Sequence, residues 1–249
     1  MFMMKLSIKA AQHLQSLVFP YACVLCGDTM QSTQGCCASC LQDLKVMPKF
    51  SCLSCGIPLD ASLAPGPCGT CLNKALPQQQ TRHLYLYRGK VRDAILAWKL
   101  QGQDMGMQWL LQTATQQLTS IFSPHDLLIP VPMPLYRMRR SGLHHSADLC
   151  QNIAKLTGSR VQWQILRRKG DDKRQSSLHG KARQTNLHKA FSLADNHQDV
   201  LSSLDTRGKI WVIDDILTTG ATLRHACRVM KQTKQPIFAF SFARTWQDS

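Results

Sequence analysis

The stretch that decides the fold runs Lys209-Ile210-Trp211-Val212-Ile213-Asp214-Asp215-Ile216-Leu217-Thr218-Thr219-Gly220-Ala221-Thr222. It opens as a short apolar run of strand type, bounded by Gly208 and stopped by two acids. A small hydroxyl- and glycine-containing turn follows, and Leu223 to Met230 then reads as the first turns of a helix. Strand, acidic pair, turn and helix start make a workable phosphate site. The N–H groups of the turn and of the helix N-terminus face an anion, and Thr218, Thr219 and Thr222 add hydroxyl donors. Gly220 allows close backbone approach because it carries no Cβ. The carboxylates suit sugar hydroxyls or a divalent metal rather than the phosphate itself. An ordinary buried strand with a capped helix would explain the apolar run but not the two adjacent acids.

Working outward, strands alternate with helices. Leu84–Tyr87 is strand-like. Val91, Ala94, Ile95 and Trp98 have helical spacing up to Gly102, and Met105–Ile121 reads as a second helix. Leu127–Val131 is a buried strand stopped by Pro132 and Pro134. Leu143, Ala147, Cys150 and Ala154 mark a helix face ending at Gly158; Val161–Leu166 and Ile237–Phe242 read as strands. This pattern predicts an α/β fold with an open, mostly parallel sheet. Ligands of such sheets sit at the carboxyl ends of the strands, where Asp214–Thr222 falls.

Upstream, nine of the 11 cysteines lie within residues 23–71, eight of them in four CxxC pairs: Cys23/Cys26, Cys37/Cys40, Cys52/Cys55 and Cys68/Cys71. Two such pairs closed over a short loop place four thiolates around one tetrahedral zinc, so two structural Zn²⁺ ions are expected. Consecutive and interleaved pairing both use these residues, and Cys36 stands beside Cys37. A redox CxxC needs a flanking strand and helix, and a disulfide framework needs an oxidising compartment. Three domains follow: an amphipathic N-terminal helix over 1–20, a double zinc ribbon over 21–76, and an α/β domain over 81–249, after a linker at Pro77–Gln80.

Composition sets further bounds. There are 249 residues, 44% of them hydrophobic, without an apolar run long enough to cross a membrane. Lys9, Gln12, His13 and Gln15 interrupt any signal-peptide core, which points to a cytoplasmic protein. The formal charge is +15, and all 15 acids are Asp, which excludes any mechanism needing a catalytic Glu. Between Arg137 and Lys189, 13 Lys and Arg face only Asp148, Asp171 and Asp172. Such a block suits a polyanion, either nucleic acid or a substrate with several phosphates, although a solvated basic face has the same composition. Within it, Arg167, Arg168, Lys169, Lys173 and Arg174 are the nucleic-acid candidates. The polar run from Arg167 to Asn186 reads as a flap.

Val212–Thr222 resembles the phosphoribosyl pyrophosphate signature of the type I phosphoribosyltransferases. That resemblance implies that Asp214 and Asp215 hold the ribose 2′- and 3′-hydroxyls. It implies that Thr218, Thr219, Gly220, Ala221 and Thr222 hold the 5′-phosphate, with Mg²⁺ accompanying the ligand. Leu17–Gly27, Leu96–Gly102, Pro130–Pro134, Arg139–Gly142 and Lys181–Phe191 resemble the ComF family, the ComFC/GntX type of competence and DNA-utilisation proteins. This second resemblance spans nearly the whole chain. It implies natural competence and DNA utilisation, single-stranded DNA, and other competence proteins of helicase or DNA-processing type as partners. Ser141–His145 departs from the family's Arg-Gly-Phe-Asn-Gln, keeping only the Gly.

In that frame Lys99, Arg137, Arg139 and Arg140 are the catalytic candidates, the arginines meeting a departing pyrophosphate with their forked donors. The purine-salvage enzymes carry an Asp where this chain has Thr218, whose hydroxyl is a poor general base. Purine salvage is therefore disfavoured. Two functions are expected: a phosphoribosyltransferase with an unidentified acceptor, or a single-stranded-DNA-binding protein that retains the pocket without catalysis.

Overall fold

Eight consecutive residues, Ile210–Leu217, form the strand at the heart of a five-stranded sheet. The computed structural model describes residues 21–30, 35–62, 64–169, 190–202 and 205–246. In chain order its elements begin with β1 (Tyr21–Ala22), β2 (Thr29–Met30), α1 (Ala38–Gln42) and α2 (Gly69–Asn73). Then come β3 (Thr81–Leu86), α3 (Gly89–Gln101), α4 (Met105–Thr113), α5 (Thr115–Ile121) and β4 (Leu127–Pro130). They are followed by α6 (Leu135–Ser141), α7 (His145–Thr157), β5 (Arg160–Val161), β6 (Leu166–Arg168) and β7 (Phe191–Leu193). The last are α8 (His197–Ser202), β8 (Ile210–Leu217), α9 (Ala221–Met230) and β9 (Ile237–Arg244).

The sheet order is β3-β9-β8-β4-β5, and every pairing is parallel. The expected open parallel α/β sheet is thus what forms. Ile210, Trp211, Val212 and Ile213 are all buried because a parallel strand is covered on both faces. On one face Val212, Leu223, Ala226, Cys227 and Met230 pack into a single core with Ile129 and Ala239. On the other Phe122 meets Trp211 and Phe240 edge-on, with ring centroids 4.9 and 5.1 Å apart.

Topology fixes where a ligand can enter. From β4 the chain moves outward to β5, whereas from β8 it moves the other way to β9. The connections therefore diverge between the neighbours β4 and β8. That switch point opens a crevice at their carboxyl ends. Pro130 pairs with Ile213, and the Val131 N–H donates to the Ile213 carbonyl, so the crevice is bounded by the 131–134 turn and Asp214.

The chain divides into two compact units, Met1–Leu44 with Arg88–Leu110, and Lys45–Tyr87 with Leu111–Ser249. In the first, Asp43 caps α3, its carboxylate accepting from the Lys90 N–H at 3.0 Å. In the second, residues 45–47 run antiparallel along the outer side of β3, through a Val46–Tyr85 bridge and a Met47 N–H to Leu84 carbonyl bond of 2.9 Å. They cover an edge that would otherwise template pairing with another chain.

Several local expectations need correction. Met105–Ile121 is two helices, broken at Ala114 (φ −90°, ψ 9°). Val161–Leu166 is no single strand: β5 pairs in the main sheet, while β6 pairs antiparallel with β7. The acidic pair does not stop β8, which runs on to Leu217 because β9 continues beside it as far as Arg244. The segment holding Arg137, Arg139 and Arg140 is the helix α6, Pro134 standing at its N-cap. Arg167 and Arg168 sit in β6, so the polar flap does not begin at Arg167. From residue 170 onward, with Lys173 and Arg174, it lies outside the described residues, as does the helix expected over 1–20. No helix among the described residues is long and apolar enough to cross a membrane.

Candidate functional site

Two clusters of cysteine thiols could each hold a metal ion. Cys23, Cys26, Cys37 and Cys40 form one cluster, and Cys52, Cys55, Cys68 and Cys71 the other, with all sulfur atoms in each lying within 4.8 Å of one another. The consecutive pairing is therefore the one the chain adopts. The two ribbons repeat the same construction. Gly27 and Gly56 follow the first pairs with φ of 79° and 69°. Their N–H groups donate back to the Cys23 and Cys52 carbonyls at 2.8 and 2.9 Å. Cys37 and Cys68 stand at the N-caps of α1 and α2.

Tetrahedral zinc with Zn–S bonds of about 2.3 Å needs sulfurs roughly 3.8 Å apart. Cys26 to Cys37 and Cys55 to Cys68 are both 3.8 Å. The first thiol of each ribbon is also prepared for the thiolate state. Burial raises its pKa, yet backbone N–H donors outweigh that and bring Cys23 down to about 6 and Cys52 to about 7. Cys36 is buried with its sulfur 4.0 Å from Cys23 Sγ, outside the four-sulfur set. The residues fit two structural zinc ions.

The second ribbon is fastened to the sheet of its own unit. The Cys55 carbonyl accepts from Arg244 Nη1 at 2.9 Å, and His83 Nε2 lies 3.0 Å from it. His83 Nδ1 is 2.7 Å from Ser241 Oγ on β9. Burial drives His83 down to about 3, so the ring is neutral. A Cβ on Gly56 would come within 2.5 Å of that ring.

At the crevice, β8 carries Asp214 and Asp215 to its rim, and the turn beyond them is held by short-range bonds. The Asp214 carboxylate accepts from the Asp215 N–H (3.0 Å) and from the Ser146 hydroxyl (3.1 Å). Asp215 is buried and accepts from the Ile216 N–H at 2.6 Å. Thr218 and Thr219 are exposed. Gly220 takes φ 71° at the N-cap of α9, and Arg224 Nη1 donates to the Thr219 carbonyl at 2.7 Å. Ala221 and Thr222 form the first turn of α9, half-buried, with N–H groups of a fresh helix end.

Sequence reasoning missed two partners, Ser146 and His144. Ser146 reaches Asp214 from the first turn of α7. His144 caps that helix through a bond from the Ala147 N–H (3.2 Å), and its other ring nitrogen lies 3.1 Å from the Met133 N. Burial holds His144 below the usual imidazole range, although the nearby Asp215 charge acts the other way. Its place within the Ser141–His145 departure was visible in the sequence, but its role was not.

Arg137, Arg139 and Arg140 are exposed on α6, which follows the 131–134 turn at the same end of the sheet. Lys99 sits half-buried in the last turn of α3 and belongs to the other compact unit. Arg167 is exposed on β6, and Arg168 lies over the Phe191 ring at 5.5 Å. Lys169 follows, exposed.

Residues 14–72 match the family model of the double zinc ribbon domain. Beyond that module, the chain is 26% identical over 223 residues to competence protein F of Haemophilus influenzae, covering 86% of this chain and 92% of that protein. It is 27% identical over 221 residues to the DNA utilization protein YhgH of Escherichia coli, with the same coverage of 86% and 92%. Competence protein ComFC of Bacillus subtilis is 23% identical over 214 residues, 83% of this chain and 82% of that protein. The likeness to the ComF family holds across most of the chain.

Proposed function

We propose that the protein binds phosphoribosyl pyrophosphate with Mg²⁺ in the crevice between β4 and β8, in the service of competence and DNA utilisation. The observation that carries this reading is a carboxylate pair at a topological switch point, followed by exposed Thr218 and Thr219 and by the N-terminus of α9. Asp214 and Asp215 are the groups for the ribose hydroxyls. Thr218–Thr222 offer donors to the 5′-phosphate, and Arg137, Arg139 and Arg140 supply positive charge to the pyrophosphate. Asp214 and Asp215 are also the carboxylates that would hold a Mg²⁺ ion accompanying the ligand, which would supply further positive charge to the pyrophosphate. The names of the three relatives support the biological setting.

Whether transfer to an acceptor follows binding distinguishes an enzyme from a non-catalytic DNA-handling protein. Thr218, standing where an acid would act as base, favours the latter for any acceptor that needs deprotonation. The exposed Arg167 and Lys169 favour single-stranded DNA as the second ligand. A cytoplasmic location and contacts with other competence proteins accompany this reading.

Calorimetry with phosphoribosyl pyrophosphate and Mg²⁺ is the test. Asp215→Asn removes a charged acceptor and is expected to cost about 1.5–3 kcal/mol, at least a tenfold loss of affinity. The melting temperature of the free protein should change little. Equal affinity of variant and wild type removes the proposal.

A further inference from the structure

At the opposite end of the same sheet lies a second concavity, of about 440 Å³, within the unit that contains the second ribbon. Three cations from distant parts of the chain line it: Lys49 from the segment between the ribbons, Arg82 from β3, and Lys209 at the entrance to β8. All three are exposed, and no carboxylate lines the cavity. Among the described residues no salt bridge is formed by any of them.

The one acid bonded to this region is already engaged. Asp126 is buried and accepts from the Ser123 N–H and hydroxyl, the Lys209 N–H and the Trp211 indole, at 2.9 to 3.0 Å. Four donors occupy its lone pairs, and the Lys209 ammonium turns instead over the Phe238 ring at 5.3 Å. Three like charges around one recess repel each other unless an anion enters. Gln80, Gln117 and Ser120 add neutral polar groups beside them, and Met47 and Trp211 supply apolar surface. The volume falls in the range of roughly 300–1,000 Å³ typical of small-ligand sites.

We propose that this cavity is a second phosphate site, taking a nucleotide whose phosphate meets Lys49, Arg82 and Lys209. The nucleotide is either free or one unit of a single strand. Lys209 and Asp214 are five positions apart on an extended strand, about 16 Å, so this site and the crevice bind their ligands separately.

The experiment measures binding of thymidine monophosphate and of a short fluorescent oligothymidylate at several salt concentrations. It compares wild type with the triple variant Lys49→Gln/Arg82→Gln/Lys209→Gln. The triple variant is expected to lose at least tenfold in affinity at low salt. Its log–log salt slope for the oligonucleotide should flatten by about two units, at roughly 0.7 per phosphate contact. Zinc content and phosphoribosyl pyrophosphate binding should stay as in wild type. Loss of monophosphate binding identifies the free nucleotide, and loss confined to the oligonucleotide identifies the strand. Ser120→Trp fills the cavity from exposed α5 without touching a charge and should weaken the same probe. Should both variants bind both probes as wild type does, or wild type bind neither, the proposal is overturned.

Discussion

Gly27 and Gly56 do the same work at equivalent points of the two ribbons, yet their surroundings differ. Both hold positive φ, where a Cβ costs about 1–2 kcal/mol. Nothing lies within 4 Å of a Cβ built on Gly27, whereas one on Gly56 would strike His83 at 2.5 Å. Gly27→Ala should therefore cost only the backbone term. Gly56→Ala should cost more, roughly 2–4 kcal/mol, because the His83 ring must leave Ser241 and the Cys55 carbonyl. Thermal unfolding of the two variants side by side checks this; equal losses would show that the His83 packing contributes nothing. His144 offers a second residue-scale test. Burial depresses its pKa, so the unfolded chain takes up its proton first as pH falls. Its contribution is full above about pH 6.5 and fades as pH drops toward the folded value. His144→Gln should flatten that part of the stability–pH curve, as followed by denaturant unfolding at several pH values. An unchanged curve would assign the acid sensitivity elsewhere.

At the scale of elements, the ribbons are the parts most legible in the sequence. CxxC spacing gave the ligands because two residues between cysteines is what a knuckle around one metal requires. It left pairing open, since both pairings satisfy that spacing, and only the sulfur positions resolve it. The rim of the crevice was equally legible, from Asp214, Asp215 and the Thr-Thr-Gly turn. Helix and strand ends were not. Leu217 stays in β8 because Arg244 lies opposite it, and no local property of the sequence announces that neighbour. Ser146 was hidden for the same reason, 68 residues from the Asp214 it bonds.

The attachment of the second ribbon changes what zinc loss should do. Cys26→Ser and Cys55→Ser should each lower the metal content from two ions per chain toward one. Only Cys55→Ser is expected to lower the main unfolding transition of the sheet. Its ribbon is tied to β3 and β9 through the Cys55 carbonyl, and metal binding is folding energy in such ribbons. Metal analysis together with calorimetry decides it; an unaltered main transition in Cys55→Ser would mean that the two bonds do not couple them.

For the whole molecule, the sheet is closed by the two strands farthest apart in the chain. β3, the first strand of the sheet, pairs only with β9, the last, and His83 meets Ser241 across 158 residues. A chain ending before Ile237 leaves β3 without its neighbour in the sheet and opens one edge of β8, which keeps only β4 beside it. Such a truncation should be insoluble on expression, whereas a soluble monomer with two zinc ions would contradict this. The same arrangement sets a timetable during synthesis. Ribosomes add about 5–20 residues per second, so β3 waits roughly 8–30 s for its partner to emerge. Through that interval the nascent chain holds an open sheet edge, with residues 45–47 available to screen one side of it. The sheet is complete only once β9 has left the ribosome.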